Sequence, residues 1–191
     1  MKTQLTIGIP VYNEEQRIEI AIRSAAPQCG KLIVSDNASS DGTSAICQTL
    51  LREYPNMEYF RHGKNIGAGS NWRFILEKTA TPFIMFLGSH DYIDSNYVGT
   101  VLPALLEDTS VAAATGELCF DYGTREEQVR VFGDWQGGLH QDAYHRVHSF
   151  LFERAHLAWC VYGIFRTDLF RRYFRTTCLR TALILFFSRE Y

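Results

Sequence analysis

Short apolar runs that stop abruptly at polar or turn-forming residues constrain this chain more than any other feature. Residues 83–87 (FIMFL) are the clearest run. They break at Gly88 into Ser89-His90-Asp91. A run this short, apolar at every position and bounded by turn residues, reads as a strand covered on both faces. Residues 5–10 (LTIGIP), 32–34 (LIV) and 57–60 (MEYF) read as further strands. Between them lie segments with a helical period. Ile18, Ala21, Ile22, Ala25 and Ala26 share one face until Pro27 and Gly30 stop the helix. Asp41 is placed to cap a second helix with Ile46, Leu50 and Leu51 inward, and residues 71–79 form a third with Trp72, Ile75 and Leu76 inward. Strand and helix in strict alternation predict an α/β fold with a mostly parallel sheet flanked by helices.

After Asp91 the rhythm changes. Asp94 is placed to cap a helix carrying Val98, Val101, Leu102, Leu105 and Leu106, with Pro103 inside it. Strands are expected over residues 111–120, 128–132 and 160–165, helices over 140–152 and 168–174, and a loop with Trp135 over 134–138. No repeat, low-complexity tract or linker interrupts the 191 residues, which fit one domain able to bury a core. The reading is a single domain over 1–191 with two halves, 1–92 and 93–191.

Composition narrows the classes. Apolar residues make up 46% and charged residues 21%, as in soluble globular proteins. A net charge of −2 carries no nucleic-acid signature. The charge is uneven, because residues 151–191 hold seven Arg against Glu153, Asp168 and Glu190. Such a block is either a solvated face or a surface toward an anionic lipid or a phosphate-bearing substrate. Cys29, Cys47, Cys119, Cys160 and Cys178 are odd in number and form no CxxC pair, which fits reduced thiols in the cytoplasm. The N-terminus lacks the apolar region of a signal peptide, and no run approaches a membrane span.

In a parallel sheet the carboxyl ends of the strands lie on one edge, where ligands bind. Three polar clusters fall at such ends: Tyr12-Asn13-Glu14, Asp36-Asn37 and Ser89-His90-Asp91. An aromatic such as Tyr12 suits stacking on a base. A carboxylate such as Asp36 suits the N–H of a base or ribose hydroxyls. Asp91 suits a divalent cation beside a diphosphate, since Mg²⁺ and Mn²⁺ take oxygen ligands from one or two carboxylates plus phosphates. Read alone, Tyr12 could equally be a packing aromatic, Asp36 a loop cap and Asp91 a helix cap.

The segments IGIPVYNEEQRI, IVSDNASSDGT, NIGAGSN and FIMFLGSHD, in this order and spacing, resemble the family 2 glycosyltransferases of the GT-A fold. The resemblance covers residues 4–110 and continues into YGIFRTDLF at 162–170. It implies a Rossmann-like domain that transfers a sugar from a nucleotide-diphosphate sugar, most simply a UDP-sugar, with the help of Mn²⁺ or Mg²⁺. The acceptor it implies is a glycan or lipid-linked molecule of the cell envelope. The location it implies is the cytoplasm, with peripheral association at the inner face of the membrane. Carried over by position, Pro10, Tyr12 and Glu14 contact the nucleoside, Asp36 the base, and Asn65 and Gly67 the loop beside the nucleotide. His90 contacts ribose or metal, and Asp91 is the metal carboxylate.

Two departures stand out. The acid-rich triplet of the family is here Ser89-His90-Asp91, with one carboxylate. Inverting members also place a carboxylate general base some residues after the YGIFR-like strand. Here that position reads Thr181-Ala182-Leu183, and the sequence stops at Tyr191. Asp134, Glu117 and Asp168 are substitutes, with Asp134 in a Gly- and Trp-containing loop. The alternative is a truncated or catalytically impaired relative that binds nucleotide as a regulatory module. His145 and His148 lack a third ligand for zinc, and Gly67-Ala68-Gly69 follows the third strand, where a dinucleotide-binding GxGxxG would follow the first. A sugar nucleotidyltransferase would want Gly, Arg and Lys where this chain has VYNEE.

Overall fold

The computed structural model describes residues 2–116 and 162–176, with side chains through Arg172 in the second stretch. The chain builds β1 (Leu5–Val11), α1 (Ile18–Ala25), β2 (Lys31–Asp36), α2 (Thr43–Glu53), β3 (Met57–Arg61), α3 (Ala68–Lys78), β4 (Phe83–Phe86), α4 (Tyr97–Glu107), β5 (Ala113–Ala114), β6 (Ile164–Arg166) and α5 (Thr167–Thr176). The strands form one sheet in the order β3-β2-β1-β4-β6-β5. The first four are mutually parallel, β6 runs antiparallel to β4, and β5 antiparallel to β6.

The chain therefore grows outward from β1 through β2 to β3, then returns to add β4 on the other side of β1. That reversal opens a crevice beyond the carboxyl ends of β1 and β4, where open α/β sheets hold ligands. Pro10 costs no ladder bond there. The Gly8 carbonyl already accepts Leu87 N–H just past the end of β4, so Pro10, two residues on, faces that side beyond its last rung.

Alternation along the strands divides the core between two faces. Leu32, Val34, Phe83 and Met85 pack with α1, α2 and α4. Ile33, Ile84 and Phe86 pack with Trp72, Ile75 and Leu76 of α3 and with Phe170 of α5. Trp72 stacks on Phe86, ring centroids 4.4 Å apart.

Several expectations shift in detail. In α2 the inward face is Thr43, Cys47 and Leu50, while Leu51 is exposed. A rotation of 100° per residue puts 47 and 50, not 51, beside 43. Asp41 does accept Thr43 N–H at the start of that helix, at 3.0 Å. Asp94 does not cap α4. The N-cap is Asn96, without a side-chain capping bond, and the Val98 N–H is satisfied by Gln28 Oε1 at 3.1 Å. Gln28 Nε2 donates to the Asp94 carbonyl at 2.8 Å and the Ser24 carbonyl at 2.9 Å. Of the strand expected over 160–165, residues 162–163 are not strand and Ile164 begins it, and of the strand expected over 111–120, residues 111–116 are described and Ala113–Ala114 are strand. The elements expected over 128–152 lie outside the described residues.

Two arginines of the basic C-terminal block close helix ends. Arg166 donates to the carbonyls of Leu105, Asp108 and Val111 after α4, and Arg171 to those of Leu76 and Thr79 at the end of α3. Each supplies charge-assisted donors to carbonyls that a helix cannot satisfy itself. Cys29 and Cys47 are buried, and burial pushes both thiols up to about 12, so neither is a nucleophile at neutral pH. No helix among the described residues is long and apolar enough to cross a membrane.

Gln28 generates the first prediction. Gln28→Met keeps the side-chain length but leaves Val98 N–H and the Asp94 carbonyl unpaired, which costs about 1–3 kcal/mol of unfolding free energy in urea. The exposed Gln48→Met serves as control and should stay within about 0.5 kcal/mol of wild type.

Candidate active site

The loop after β1 and the loop after β2 are latched together. Asn13, at φ 53°, donates its N–H to Ser39 Oγ at 3.0 Å and accepts Ser40 N–H on Oδ1 at 2.8 Å. Glu14 N–H reaches Thr43 Oγ1 at 2.9 Å and Glu15 N–H reaches Asp41 Oδ2 at 3.1 Å. Glu15 Oε2 in return accepts Gly42 N–H at 2.6 Å. Burial raises the pKa of Asp41, but hydrogen bonds from Thr43 and Glu15 outweigh it and hold the carboxyl below its ordinary range. Ala38 is kept in the left-handed region at φ 66°, a strained position for a residue with a Cβ.

The second latch joins β2 to the loop after β3. Asn37 Nδ2 donates to Asn65 Oδ1 at 2.9 Å, and Asn37 Oδ1 accepts Ile66 N–H at 2.8 Å. Asn65 Oδ1 also accepts Gly67 N–H at 2.8 Å. Gly67, at φ 84°, is the N-cap of α3 and sits where a Cβ would be strained. Beneath this loop Asn71 Oδ1 accepts Ser35 Oγ at 2.5 Å and lies 3.2 Å from His62 Nε2. Asn65 and Gly67 thus shape the loop, and both are exposed on it.

Asp36 is held beneath the loop after β2. Its carboxylate is fully buried: Oδ1 accepts Ser39 N–H at 2.8 Å and Oδ2 accepts the Tyr59 hydroxyl at 2.6 Å. Arg61 stands 3.6 Å from Oδ2 with half its side chain exposed and donates to the Ser39 carbonyl at 2.8 Å. β2 runs to Asp36 itself, and its rung partner there is Arg61, so the carboxylate is drawn under the loop. It presents no surface to a ligand in this structure and serves as the loop's anchor. Burial, with the bond to Asp36, raises the Tyr59 pKa and keeps its hydroxyl a donor. Tyr12, by contrast, is 39% exposed.

The crevice between β1 and β4 brings Glu14, His90 and Asp91 together. His90 Nδ1 is 3.7 Å from Glu14 Oε1 and its Nε2 is 3.6 Å from Asp91 Oδ2. Asp91 Oδ2 also accepts the hydroxyl of Tyr162 at 2.5 Å, a contact that no local sequence signal indicated. Among the described residues no three His, Cys, Asp or Glu form a metal cage. A single carboxylate, more than a third exposed, fits a hard cation that keeps waters and takes other ligands from a diphosphate. Asp134 and Glu117 lie outside the described residues. Asp168 does not fit the role of base: antiparallel pairing of Arg166 with Phe83 places it at the amino end of β4, on the edge opposite Asp91.

Tyr59→Phe tests the anchor. Removing one hydroxyl leaves Asp36 Oδ2 buried and short of a donor, and about 1–3 kcal/mol of stability is lost in urea denaturation at neutral pH.

Comparison with known proteins agrees with this architecture. A family model described as "Glycosyl transferase family 2" matches residues 6–174. A GalNAc(5)-diNAcBac-PP-undecaprenol beta-1,3-glucosyltransferase of Campylobacter jejuni is 29% identical over 103 residues, 52% of this chain and 33% of that protein. An uncharacterized protein of Mycobacterium tuberculosis, MT1568, is 32% identical over 116 residues, 59% of this chain and 35% of that protein. The chain thus spans about a third of the length of these curated relatives. Residues 1–349 of S. aureus TarS superpose with a TM-score of 0.59 at 18% identity, covering 88% of this chain and 48% of that one. A mannosyltransferase from Pyrobaculum calidifontis, solved with GDP-Man and Mn²⁺, gives 0.51 at 18% identity, covering 58% of this chain and 34% of that one. These structural likenesses show the shared fold, and the family model, matching most of the chain, shows that it belongs to glycosyl transferase family 2.

Proposed function

We propose that this chain transfers a sugar from a nucleotide-diphosphate sugar to a glycan or lipid-linked acceptor, with inversion at the anomeric carbon. The observation that carries the reading is the meeting of Glu14, His90 and Asp91 in the β1–β4 crevice, beside the exposed Tyr12. Tyr12 stacks on the base, and the latched loops around Asn13, Asn37, Asn65 and Gly67 shape the nucleoside cleft. Pro10 holds the end of β1 without a ladder bond, so the strand can open into that cleft. Glu14 and His90 face the ribose and diphosphate, and Asp91 takes the cation that the diphosphate brings. Mn²⁺ or Mg²⁺ bound there would neutralise charge on the leaving diphosphate.

In the transfer itself the acceptor oxygen forms a bond to the anomeric carbon as the bond to the diphosphate breaks. The acceptor proton passes to a carboxylate of the second half (93–191), with Asp134 as the candidate. That S. aureus TarS has been solved with UDP-GlcNAc makes uracil nucleotides the first to test. The C. jejuni relative's undecaprenol-linked name supports a lipid-linked, cell-envelope acceptor and a cytoplasmic place beside the membrane. The basic block supports that place less than its charge implies, since Arg166 and Arg171 are spent on helix ends.

The test is calorimetric titration of UDP, GDP and dTDP, with and without Mn²⁺, into wild type and Asp91→Ala. One nucleotide should bind with Mn²⁺ dependence, and Asp91→Ala should weaken that binding at least about tenfold, no less than the loss of an outer partner of a metal ligand. Absence of binding by every nucleotide overturns the reading. Binding with no transfer from the matching sugar nucleotide to any acceptor, or to water, favours the nucleotide-binding module instead.

A further inference from the structure

Tyr162 lies 71 positions from Asp91 in sequence yet donates its hydroxyl to Asp91 Oδ2 at 2.5 Å. Topology accounts for the meeting. β6 is antiparallel to β4, with Ile164 opposite Met85, so the residues entering β6 arrive at the carboxyl edge of the parallel strands. The backbone of Tyr162 is itself held there. Its carbonyl accepts the hydroxyl of Tyr97 from α4 at 2.9 Å, and that hydroxyl accepts Gly116 N–H at 3.2 Å. The Tyr162 ring packs against the core.

A separate observation concerns Gly88. A Cβ at this position would lie 2.3 Å from Asp91 Oδ2 and 3.1 Å from the Tyr162 hydroxyl. The turn out of β4, closed by Asp91 N–H on the Gly88 carbonyl at 3.1 Å, therefore leaves out a side chain where the carboxylate and phenol meet.

We infer that Tyr162 is a positioning residue: with Gly88 it locks Asp91 through Oδ2 and turns Oδ1, which has no partner among the described residues, toward the cation and diphosphate. This rests on the reading of Asp91 given above and deepens it. Among the described residues no cluster of three metal-ligating side chains stands at this site, so the orientation of Asp91 bears directly on the affinity. A hydroxyl from the opposite half of the chain supplies that orientation, as outer-shell partners do for metal ligands.

The experiment titrates Mn²⁺ against the tightest-binding of UDP, GDP and dTDP on wild type, Tyr162→Phe and Gly88→Ala, reading nucleotide affinity by calorimetry and folding by thermal melting. Both variants should lower the Mn²⁺-dependent gain in affinity by about tenfold or more. Metal-free nucleotide affinity should stay within about twofold, a split that general damage to the fold would not produce. Gly88→Ala keeps the phenol and displaces the carboxylate, so it tests the same geometry should Tyr162→Phe melt early. A wild-type Mn²⁺ gain preserved in both variants overturns the assignment and leaves the reading of Asp91 standing. A wild type with no Mn²⁺ gain overturns that reading, and the assignment falls with it.

Discussion

The structure depends on β1 pairing in parallel with β2 on one side and β4 on the other. Parallel strands put their carboxyl ends on one edge, and the return of the chain across β1 leaves the loops of β1 and β4 no common helix to cover them. The crevice between them is thus a product of backbone hydrogen bonding and strand order, before any functional side chain is considered. Glu14 and His90 face each other across it because each is carried a few residues past a paired strand end.

The edge is built from loops, yet they are held by hydrogen bonds much as regular elements are. Asn13, Glu15, Asn37 and Asn65 each satisfy backbone N–H groups of their own or a neighbouring loop. Such short polar side chains replace the ladder where it ends and fix a concave surface without a helix or strand to line it. The strain at Ala38 is local to this surface, where preorganisation is worth more than relaxation.

Much of this was legible beforehand, and the misses share a cause. The alternation of strand and helix, the three polar clusters and the inward faces of α1 and α3 follow from local periodicity. Leu51 was misplaced for Cys47 because apolarity was weighed above the helical angle. Asp94 was preferred over Gln28 because a cap is sought next to the helix it serves, while Gln28 reaches α4 from 70 residues away. The burial of Asp36 was not legible either, since it depends on Tyr59 of the adjacent strand. The arginines read as a charged surface, and two of them turned out to face helix carbonyls.

By itself the sequence determined the α/β class, the parallel character of its first strands and the family, because these rest on periodicity and on residues close to one another in the chain. The tertiary structure alone decided which carboxylate is exposed, which is buried, and which meets Tyr162. It also removed Asp168 from the candidate bases, through the reversed direction of β6. Such choices turn on contacts across tens of residues, and strand direction and register set them: a polar group's chemistry follows from what it is buried against.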